Sequence, residues 1–542
     1  MKIDGLIIDV VQKKIFPGRL EIKDRKIHKV QPLNDAPQKY ILPGFIDSHV
    51  HIESSMVLPS RFAEVAVSHG TLATVSDPHE IANVMGIDGI NFMIEDGKRV
   101  PFRFYFGAPS CVPATPFDHS GSVIGSEEVK HLLSRDDIYY LSEMMNFPGV
   151  VNKQDDIIKK LSFAKMLNKP VDGHAPGLTG EDLEKYIGEG ISTDHESYSL
   201  EEAREKIQKG MMIQIRNGSA ALNFDALHPL IGEFPEKIMF CTDDCHPNDL
   251  INGHINKMVK MAISKGYDLF DVLRAASYVP NRHYNLNIGM LQTGDSADFI
   301  VVDNLEALNV EEVWNNGEII FRNRTYQWKR PDATAVNNFI KRRIQKRDIE
   351  IRSSSKSRTI KVIQALDGEL ITNSFSSKMN ITDGKIEADP SNDILKIVVI
   401  NRYSKRKPAI GFIKGFGLKE GAIAGSIAHD SHNLIAVGVQ DSDIVAVLNK
   451  LMETGGGIIA KKGNHIVNLS LPVAGLMSLD AVKDVALKYQ KLNKLAWESG
   501  SSLKAPFMTL AFMSLLVIPE LKIGDKGLFN VNDFAYTSLF AE

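Results

Sequence analysis

The sequence predicts an α/β protein organised around a (β/α)8 barrel, with a small β-sandwich and a C-terminal α+β domain. Two observations predict the barrel. Eight short apolar strands alternate with amphipathic helices between about residues 43 and 294. Six of these strands end in polar residues at their C-terminal ends. Alternating strands and helices form a parallel sheet, and eight units in roughly 250 residues fit a closed barrel whose strand ends meet at one mouth.

The elements of the barrel are read from apolar runs and from helical spacing. The eight candidate strands are 44–52, 71–76, 102–108, 138–142, 170–173, 190–193, 211–216 and 237–242. Apolar residues three and four positions apart predict helices between them. The clearest of these helices are 60–68, 87–99, 155–167, 180–188 and 200–209.

Short strands on both sides of the barrel predict a small β unit. Before the barrel they include Val10 and Val11, Arg19–Ile22, and Lys26–Val30. A β pattern returns at Gly294–Asp303, after a long helical stretch that ends near Tyr284. We therefore predict a domain made of residues 1–42 and 295–340, with the barrel in residues 43–294.

The remaining chain predicts a separate domain. Residues 341–358 are rich in lysine and arginine and read as a basic linker. From residue 359 to residue 542, strands such as Ile397–Ile400 alternate with helices such as Asp443–Thr454, which predicts an α+β domain. The glycine-rich stretches here lack the strand, turn and helix context of a phosphate loop, so we interpret them as turns. The apolar run Phe507–Pro519 is interpreted as one or two buried strands.

Composition excludes several classes of partner. A formal net charge of −4 and 24% charged residues give no basic field for nucleic acid. The longest apolar run is too short to span a bilayer, and the N-terminus lacks the pattern of a signal peptide. The three cysteines, Cys111, Cys241 and Cys245, are too few and too scattered for a disulfide framework, and we expect buried thiols. We therefore expect a cytoplasmic protein that binds a small molecule, with neither a nucleic acid nor a membrane as partner.

The polar strand ends carry the residue types of a metal centre. His49 and His51 are two residues apart on one strand, so their side chains point to the same face. Four histidines and two carboxylates at the barrel mouth can hold two divalent ions and leave a position for a bridging water. The candidate ligands are His49, His51, Glu143, His174, His195 and Asp243.

Several longer motifs resemble the amidohydrolase superfamily and, within it, the adenine deaminase family. They are Ser76-Asp-Pro-His-Glu-Ile-Ala-Asn-Val-Met-Gly86, Ser142-Glu-Met-Met-Asn-Phe-Pro-Gly149, Asp172-Gly-His-Ala-Pro-Gly177, Thr193-Asp-His-Glu196, Arg216-Asn-Gly-Ser-Ala220, Cys241-Thr-Asp-Asp244, Ala428-His-Asp-Ser-His-Asn433 and Leu471-Pro-Val-Ala-Gly-Leu-Met477.

The resemblance covers nearly the whole chain, and it implies a fold, a cofactor and a reaction. The barrel would lie between two halves of a β-sandwich. Glu143 stands where many relatives carry a carboxylated lysine, as the adenine deaminase pattern requires. Two divalent ions are implied, with Mn²⁺ preferred and Fe²⁺ or Zn²⁺ as alternatives. The implied reaction is the hydrolysis of adenine to hypoxanthine and ammonia in purine salvage, by a homo-oligomer, with a dimer preferred.

The chemistry of deamination suggests roles for four residues. A carboxyl group with a raised pKa can protonate the purine ring, and Glu80 is the candidate. Asp243, beside the water, can take its proton and pass it to the leaving ammonia. Asp77 and His79 could orient these groups or contact the purine. Each of these residues, taken singly, could instead be a buried polar residue whose hydrogen bonds only stabilise the barrel.

Three alternatives stay open at this point. A related cyclic amidohydrolase would use the same ions, but its usual lysine is missing at Glu143. A metal-binding relative without activity would be expected to lack ligands, and none is missing. His429 and His432, which lie in one of the motifs above, could supply metal ligands, a substrate contact or a polar domain interface.

Overall fold

The computed structural model describes residues 1–541, and these fall into two compact units. The N-terminal unit consists of residues 1–78, 91–111 and 125–332. The C-terminal unit consists of residues 79–90, 112–124 and the chain from Ala333 onward. Two short early segments therefore belong to the same unit as the chain from Ala333 onward.

The N-terminal unit contains one sheet with mixed strand directions and a second set of strands that pair parallel to one another. In chain order its strands are β1 (Lys2–Asp9), β2 (Lys14–Lys23), β3 (Lys26–Pro32), β4 (Tyr40–Leu42), β5 (Phe45–His51), β6 (Thr71–Ser76), β7 (Arg103–Phe106), β8 (Leu141–Met144), β9 (Val171–Gly173), β10 (Thr193–Asp194), β11 (Met212–Arg216), β12 (Ile238–Cys241), β13 (Asp243–Asp244), β14 (Phe299–Val302), β15 (Val310–Asn315), β16 (Glu318–Arg322) and β17 (Thr325–Tyr326).

Helices separate the parallel strands. They are α1 (Pro59–Ala66), α2 (His79–Met85), α3 (Ile87–Gly97), α4 (Ser126–Leu133), α5 (Phe147–Val151), α6 (Asp155–Met166), α7 (Gly180–Gly188), α8 (Leu200–Gln208), α9 (Phe224–Leu227), α10 (Leu230–Glu233), α11 (Pro247–Leu250), α12 (Ile255–Ser264), α13 (Leu269–Leu273) and α14 (Val279–His283). Local sequence sets several of their starts: Pro59 opens α1, and the Ser199 hydroxyl accepts a hydrogen bond from the Glu202 backbone at the start of α8.

The chain before and after the parallel strands forms one eight-stranded sheet, in the order β17-β16-β15-β14-β4-β1-β2-β3. Its two halves join where β14 pairs antiparallel with β4, with Val301 opposite Ile41. Val10 and Val11 lie beyond the end of β1 and not in a strand, because the Asp9 carboxylate accepts hydrogen bonds from the backbone N–H groups of Val11 and Gln12 and forms a turn.

Each of the eight predicted barrel strands overlaps an observed parallel strand. β5 pairs with β6 and β6 with β7, β8 pairs with β9, and β10, β11 and β12 form a third sheet. β13 then pairs parallel with β5, which brings Asp243 opposite Val50. These parallel strands and the helices between them fit the predicted α/β class, and closure of all eight strands into one barrel stays a prediction.

The C-terminal unit is built on a ten-stranded sheet, in the order β18-β21-β20-β19-β23-β22-β25-β24-β26-β27. A smaller sheet contains β28, β29 and β30. Its elements after residue 350 are β18 (Ile351–Arg352), β19 (Ser357–Ala365), β20 (Thr372–Thr382), β21 (Lys385–Ile386), β22 (Leu395–Ile400), β23 (Ala409–Lys414), β24 (Ala422–Gly425), β25 (Leu434–Gly438), α15 (Asp441–Thr454), β26 (Gly457–Lys462), β27 (His465–Ser470), α16 (Val482–Glu498), α17 (Pro506–Phe512), β28 (Leu521–Gly524), β29 (Gly527–Asn530) and β30 (Ala535–Tyr536).

Three details of this unit bear on the sequence interpretation. Gly455 ends α15 in the left-handed region, at φ 78°, so this glycine has the role of a turn residue. The apolar run Phe507–Pro519 is not a strand, because most of its first half is helix α17, which begins at Pro506. In the segment predicted as a linker, Ile344 and Ile349 are buried in the core that packs against α15. Within residues 1–541, no helix is long and apolar enough to cross a membrane.

Candidate metal centre

Two candidate ligands lie at the end of strand β5. His49 and His51 project from the same face of this strand because they are two residues apart. Both side chains are buried, and their Nε2 atoms are 3.3 Å apart. Nδ1 of His51 lies 3.1 Å from the carbonyl oxygen of Asp77. A proton on that Nδ1 would be donated to the carbonyl, which leaves Nε2 of His51 with a free lone pair.

Glu143 is the carboxylate at which three histidines converge. Its Oε2 atom lies 2.7 Å from Nδ1 of His174 and 3.2 Å from Nε2 of His195. Its Oε1 atom lies 3.4 Å from Nε2 of His51. Glu143 lies in β8, while His174 and His195 each follow a parallel strand, β9 and β10, by one residue. The C-terminal ends of the strands therefore deliver these side chains to one place.

Asp243 is the second carboxylate of the cluster. It lies in β13 with a backbone φ of 56°, and β13 pairs with β5. Its Oδ1 atom lies 3.1 Å from Nε2 of His51 and 3.7 Å from Nε2 of His49. The structure thus brings together all six ligands predicted from the sequence.

The cluster divides into overlapping groups whose ligand atoms lie within 4.8 Å of one another. One group consists of His49, His195 and Asp243, and another of Glu143, His174 and His195. Asp77 also offers a ligand atom within 4.8 Å of those of His51 and Glu143.

The spacing of these atoms fits a divalent metal. Two ligands that are each about 2.1 Å from a common ion lie roughly 3.0 to 3.4 Å apart. The contacts of His51 Nε2 with the other ligand atoms, 3.1 to 3.4 Å, have that spacing. A cation between these atoms would reduce the repulsion of the imidazole nitrogens that face each other. A mixed set of nitrogen and carboxylate oxygen ligands accepts zinc, iron or manganese.

The charges of the cluster are mixed. Burial, together with the neighbouring His195 and His51, lowers the pKa of His49 well below its ordinary value. Burial alone would raise the pKa of Glu143, but His174 and His195 hold it well below its usual range. Although burial opposes the shift, neighbouring carboxylates raise the pKa of His51, His174 and His195. Metals bind neutral imidazole and ionised carboxylate, so an ion at this cluster would displace the protons of these three rings.

Two further residues belong to the site, although the sequence interpretation gave them no role. Arg216, the last residue of β11, donates hydrogen bonds from Nη1 to both Glu196 and Asp243. Glu196 also has Oε1 3.6 Å from Nε2 of His195. Arg216 stands at the C-terminal end of a parallel strand, as the ligands stand at or near strand ends, and this position was the signal that could have identified it.

A buried ion-pair network supports the segments that carry two of the histidines. Asp194 accepts hydrogen bonds from the backbone N–H of Ala175 at 3.0 Å and of Ser197 at 2.9 Å. Lys206, which is fully buried, donates to Asp194 at 2.9 Å and to Glu202 at 2.7 Å. Ala175 follows one histidine ligand directly, so this network fixes the backbone beside the centre.

His79 and Glu80 belong to the C-terminal unit, where they begin helix α2. Oε1 of Glu80 lies 2.7 Å from Nδ1 of His429, and Oε2 contacts Nε2 of His432. Nε2 of His79 lies 3.7 Å from Oε1 of Glu80. The two histidines that the sequence left without a role are therefore partners of Glu80.

This environment changes the expected protonation of Glu80. The sequence suggested a carboxyl group with a raised pKa. Burial does act in that direction, but electrostatic attraction and hydrogen bonds from His429 and His432 hold the pKa of Glu80 well below its ordinary value. Glu80 is therefore ionised, and the protons around it are on the imidazoles.

The cysteines take no part in the groups of candidate ligands found among residues 1–541. Cys241 and Cys245 are buried, and burial raises the pKa of both thiols well above its ordinary value. A thiol that keeps its proton is a poor metal ligand. The expectation of buried thiols fits these positions.

Comparisons with known proteins cover the whole chain. The profile of the amidohydrolase family matches residues 40–321, and that of the adenine deaminase C-terminal domain matches residues 369–535. The chain is 50% identical over 544 residues to an adenine deaminase of Methanosarcina barkeri, covering 99% of each chain. It is 47% identical over 543 residues to an adenine deaminase of Salinibacter ruber, covering 100% of this chain and 99% of the relative.

One solved structure that matches part of this chain is the N-acetylglucosamine-6-phosphate deacetylase of Thermotoga maritima. It shares 16% sequence identity with this chain at a TM-score of 0.45, covering 59% of this chain and 100% of the deacetylase.

Proposed function

Because this chain belongs to the adenine deaminase family, within the amidohydrolases, we propose that it hydrolyses adenine to hypoxanthine and ammonia. The observation that carries this proposal is the identity of about half of all residues to adenine deaminases over 99% of both chains. The enzyme is a hydrolase that acts on a C–N bond. Its reaction would serve purine salvage.

The buried cluster would hold two divalent ions. The ligands would be His49, His51, Glu143, His174, His195 and Asp243. When bound, the ions would supply a water acidic enough to give hydroxide at neutral pH. Mn²⁺ is preferred because of its affinity for carboxylate oxygen, and Fe²⁺ and Zn²⁺ are the alternatives.

Asp243 would move protons beside the attacked carbon. Its carboxylate is held by Arg216 on one side and faces His51 on the other. This geometry leaves it able to accept a proton from the nucleophile and to return that proton to the leaving ammonia. Arg216 would keep the carboxylate in one orientation during the transfer.

Glu80 would pass a proton to the ring nitrogen next to carbon 6, as the ring loses aromaticity. This role is proposed because Glu80 is a buried carboxylate with two imidazole partners that can supply a proton. Asp77 and His79, within three residues of Glu80 in the sequence, would orient these groups or contact the purine.

The finer architecture is part of the proposal. We infer that the parallel strands close into a (β/α)8 barrel in residues 43–294, flanked by a β unit of residues 1–42 and 295–340. A basic linker of residues 341–358 would lead to the α+β domain of residues 359–542. A cytoplasmic location is proposed because the few scattered cysteines favour a reducing compartment. The homodimer is proposed from the family resemblance.

A spectrophotometric assay tests the function. Metal-replete protein is incubated with adenine, and loss of adenine absorbance is followed together with ammonia release. Adenosine, guanine, cytosine and the cyclic amide dihydroorotate are run in parallel. The expected result is turnover of adenine alone or far above the others. Hydrolysis of the cyclic amide without deamination would contradict the proposal and assign the protein to the cyclic amidohydrolases.

A further inference from the structure

We propose that His429 and His432 are positioning residues for Glu80, with His429 storing the proton that Glu80 transfers and His432 serving as a neutral hydrogen-bond donor. The inference rests on the proposed deamination, because it assigns the origin of the proton in that reaction.

The geometry gives each carboxylate oxygen its own imidazole. Nδ1 of His429 lies 2.7 Å from Oε1 of Glu80, and Nε2 of His432 contacts Oε2. An ionised carboxylate can only accept hydrogen bonds, so both nitrogens must carry a proton and donate. With both oxygens held, the plane of the carboxylate is fixed, and one lone pair on each oxygen stays free for a third partner.

The surroundings of His429 favour a positive charge. Its Nδ1 atom faces the Asp430 carboxylate at 3.8 Å in addition to Glu80. Two carboxylates close to one nitrogen stabilise the imidazolium form. The ring stacks on Phe512, with centroids 4.8 Å apart and planes 14° from parallel, and the backbone N–H of His429 donates to Ala511 at 3.1 Å. These contacts hold the charged ring in place.

The surroundings of His432 disfavour a charge. This residue is fully buried, and burial lowers its pKa below the ordinary value. The buried guanidinium of Arg402 donates to the backbone carbonyl of His432 at 3.3 Å, so a second cation here would be repelled. Its backbone N–H also donates to Ala428 at 2.7 Å. His432 is therefore a fixed, neutral donor.

The proton transfer balances as follows. When hydroxide adds to carbon 6, the π electron pair of the bond between carbon 6 and nitrogen 1 moves to nitrogen 1. The N–H bond of His429 breaks as an O–H bond forms on Glu80, and that O–H bond breaks as nitrogen 1 gains its hydrogen. Asp243 passes the first proton of the water to the leaving ammonia, and the second proton, lost from the hydroxyl on carbon 6 as the carbonyl forms, restores His429 through Glu80.

Matched substitutions separate the two histidine roles. Asparagine at position 429 keeps a donor near the place of Nδ1, and glutamine at position 432 keeps one near Nε2, but neither amide stores a proton. We expect His429→Asn to lower kcat roughly 10²- to 10³-fold with little change in KM, and to remove the alkaline limb of the pH profile of kcat. His432→Gln should stay within about fivefold of wild type, whereas His432→Ala should lose more, because a buried oxygen loses its donor.

A histidine of the same unit serves as the control. His119 also pairs with a buried carboxylate, Asp525, at 2.9 Å, but that carboxylate is not Glu80. His119→Asn should therefore leave kcat and its pH profile as in wild type. All variants are analysed for bound metal. The pH profile of kcat is interpreted together with the charged and titratable groups near His429 and His432. Those groups are His79, Glu80, Asp430 and Arg402.

Two results would overturn the inference. One is a His429→Asn enzyme with normal kcat and an unchanged alkaline limb. The other is the loss of one metal equivalent in His429→Asn, which would mean that His79, Glu80 and Asp430 form a metal site with these histidines.

A measurement independent of activity separates this inference from the proposed function. Histidine NMR of the zinc-loaded wild type, with His429→Asn for assignment, should show His429 charged and His432 neutral at pH 7. A neutral His429 would refute the inference even in an active enzyme. Failure of the wild type to release ammonia from adenine would refute the proposed function instead.

Discussion

Replacing the buried Lys206 by methionine tests how much the ion-pair network beside the candidate metal centre contributes to folding stability and to metal affinity. Nζ of Lys206 donates to Asp194, Glu202, Ser197 and the Ala175 carbonyl at 2.7 to 3.1 Å, and the side chain has 0% exposure. Methionine keeps the length of the side chain but leaves two buried carboxylates without their cation. Breaking a buried ion pair in this way costs about 3 to 5 kcal/mol in the free energy of unfolding.

The loss should depend on pH in a defined window. Burial alone would raise the pKa of Asp194, but Lys206 holds it below the ordinary value of 3.8. The stabilisation by this ion pair is therefore present above about pH 4 and is lost as the pH falls through the lower folded value. Burial alone would lower the pKa of Lys206, but Asp194 and Glu202 raise it above its ordinary value of 10.5. The stabilisation by the charged lysine is therefore fully present below about pH 10.5 and is lost as the pH rises through the higher folded value. The difference between wild type and Lys206→Met is therefore greatest between these limits.

Urea unfolding with a probe in the N-terminal unit measures the effect, and metal titration measures its consequence at the centre. The metal affinity of Lys206→Met should fall about 10- to 100-fold, since groups that orient ligands contribute that much. Lys209→Met is the control, because Lys209 pairs with Glu184 and Glu205 near the surface and should contribute below about 1 kcal/mol. Equal losses for Lys206→Met and Lys209→Met would refute the reasoning.

Three further predictions concern single carboxylates and one arginine. Glu143→Gln should lose metal and activity together, whereas Glu80→Gln should lose turnover while keeping its metal; elemental analysis beside the adenine assay checks both, and metal loss in Glu80→Gln would contradict the division of roles. Arg216→Lys cannot reproduce the contacts of a guanidinium with Glu196 and Asp243, so kcat/KM should fall about 10- to 100-fold, and a wild-type value would exclude a role in orienting Asp243. Burial raises the pKa of Asp118 to about 7, although Ser431 opposes the shift, so its ionisation costs stability as the pH rises from about 4 to 7. Asp118→Asn should therefore gain in melting temperature over wild type from pH 5 to pH 8, and a constant difference would argue against that cost.

The sequence was sufficient for the parallel strands and for the group of candidate ligands that the structure brings together. Period-two alternation places His49 and His51 on one face, and the C-terminal position of Glu143, His174 and His195 on their strands is visible without a structure. Both signals are local, because the period of an element and the position of a residue within it do not depend on distant contacts. The motif resemblance to adenine deaminases is confirmed by the relatives.

Features that depend on distant contacts could not be predicted. The pKa of Glu80 has the opposite direction to the expected one because its partners, His429 and His432, are about 350 residues later in the sequence. The role of Arg216 depends on its contact with Asp243 on another strand. The helix at Pro506–Phe512 was interpreted as a strand because an uninterrupted apolar run has no period that distinguishes the two.

The discontinuous make-up of the C-terminal unit has a consequence for how the chain is synthesised and divided. Residues 79–90 and 112–124 leave the ribosome well before His429, and at 5 to 20 residues per second the wait for that residue is about 20 to 70 s. During that interval the carboxylate of Glu80 has neither of its imidazole partners. A fragment cut before Ala333 would keep these two segments permanently without the unit to which they belong. Separate expression of the two halves should therefore give aggregation-prone pieces, whereas co-expression gives the segments their partners.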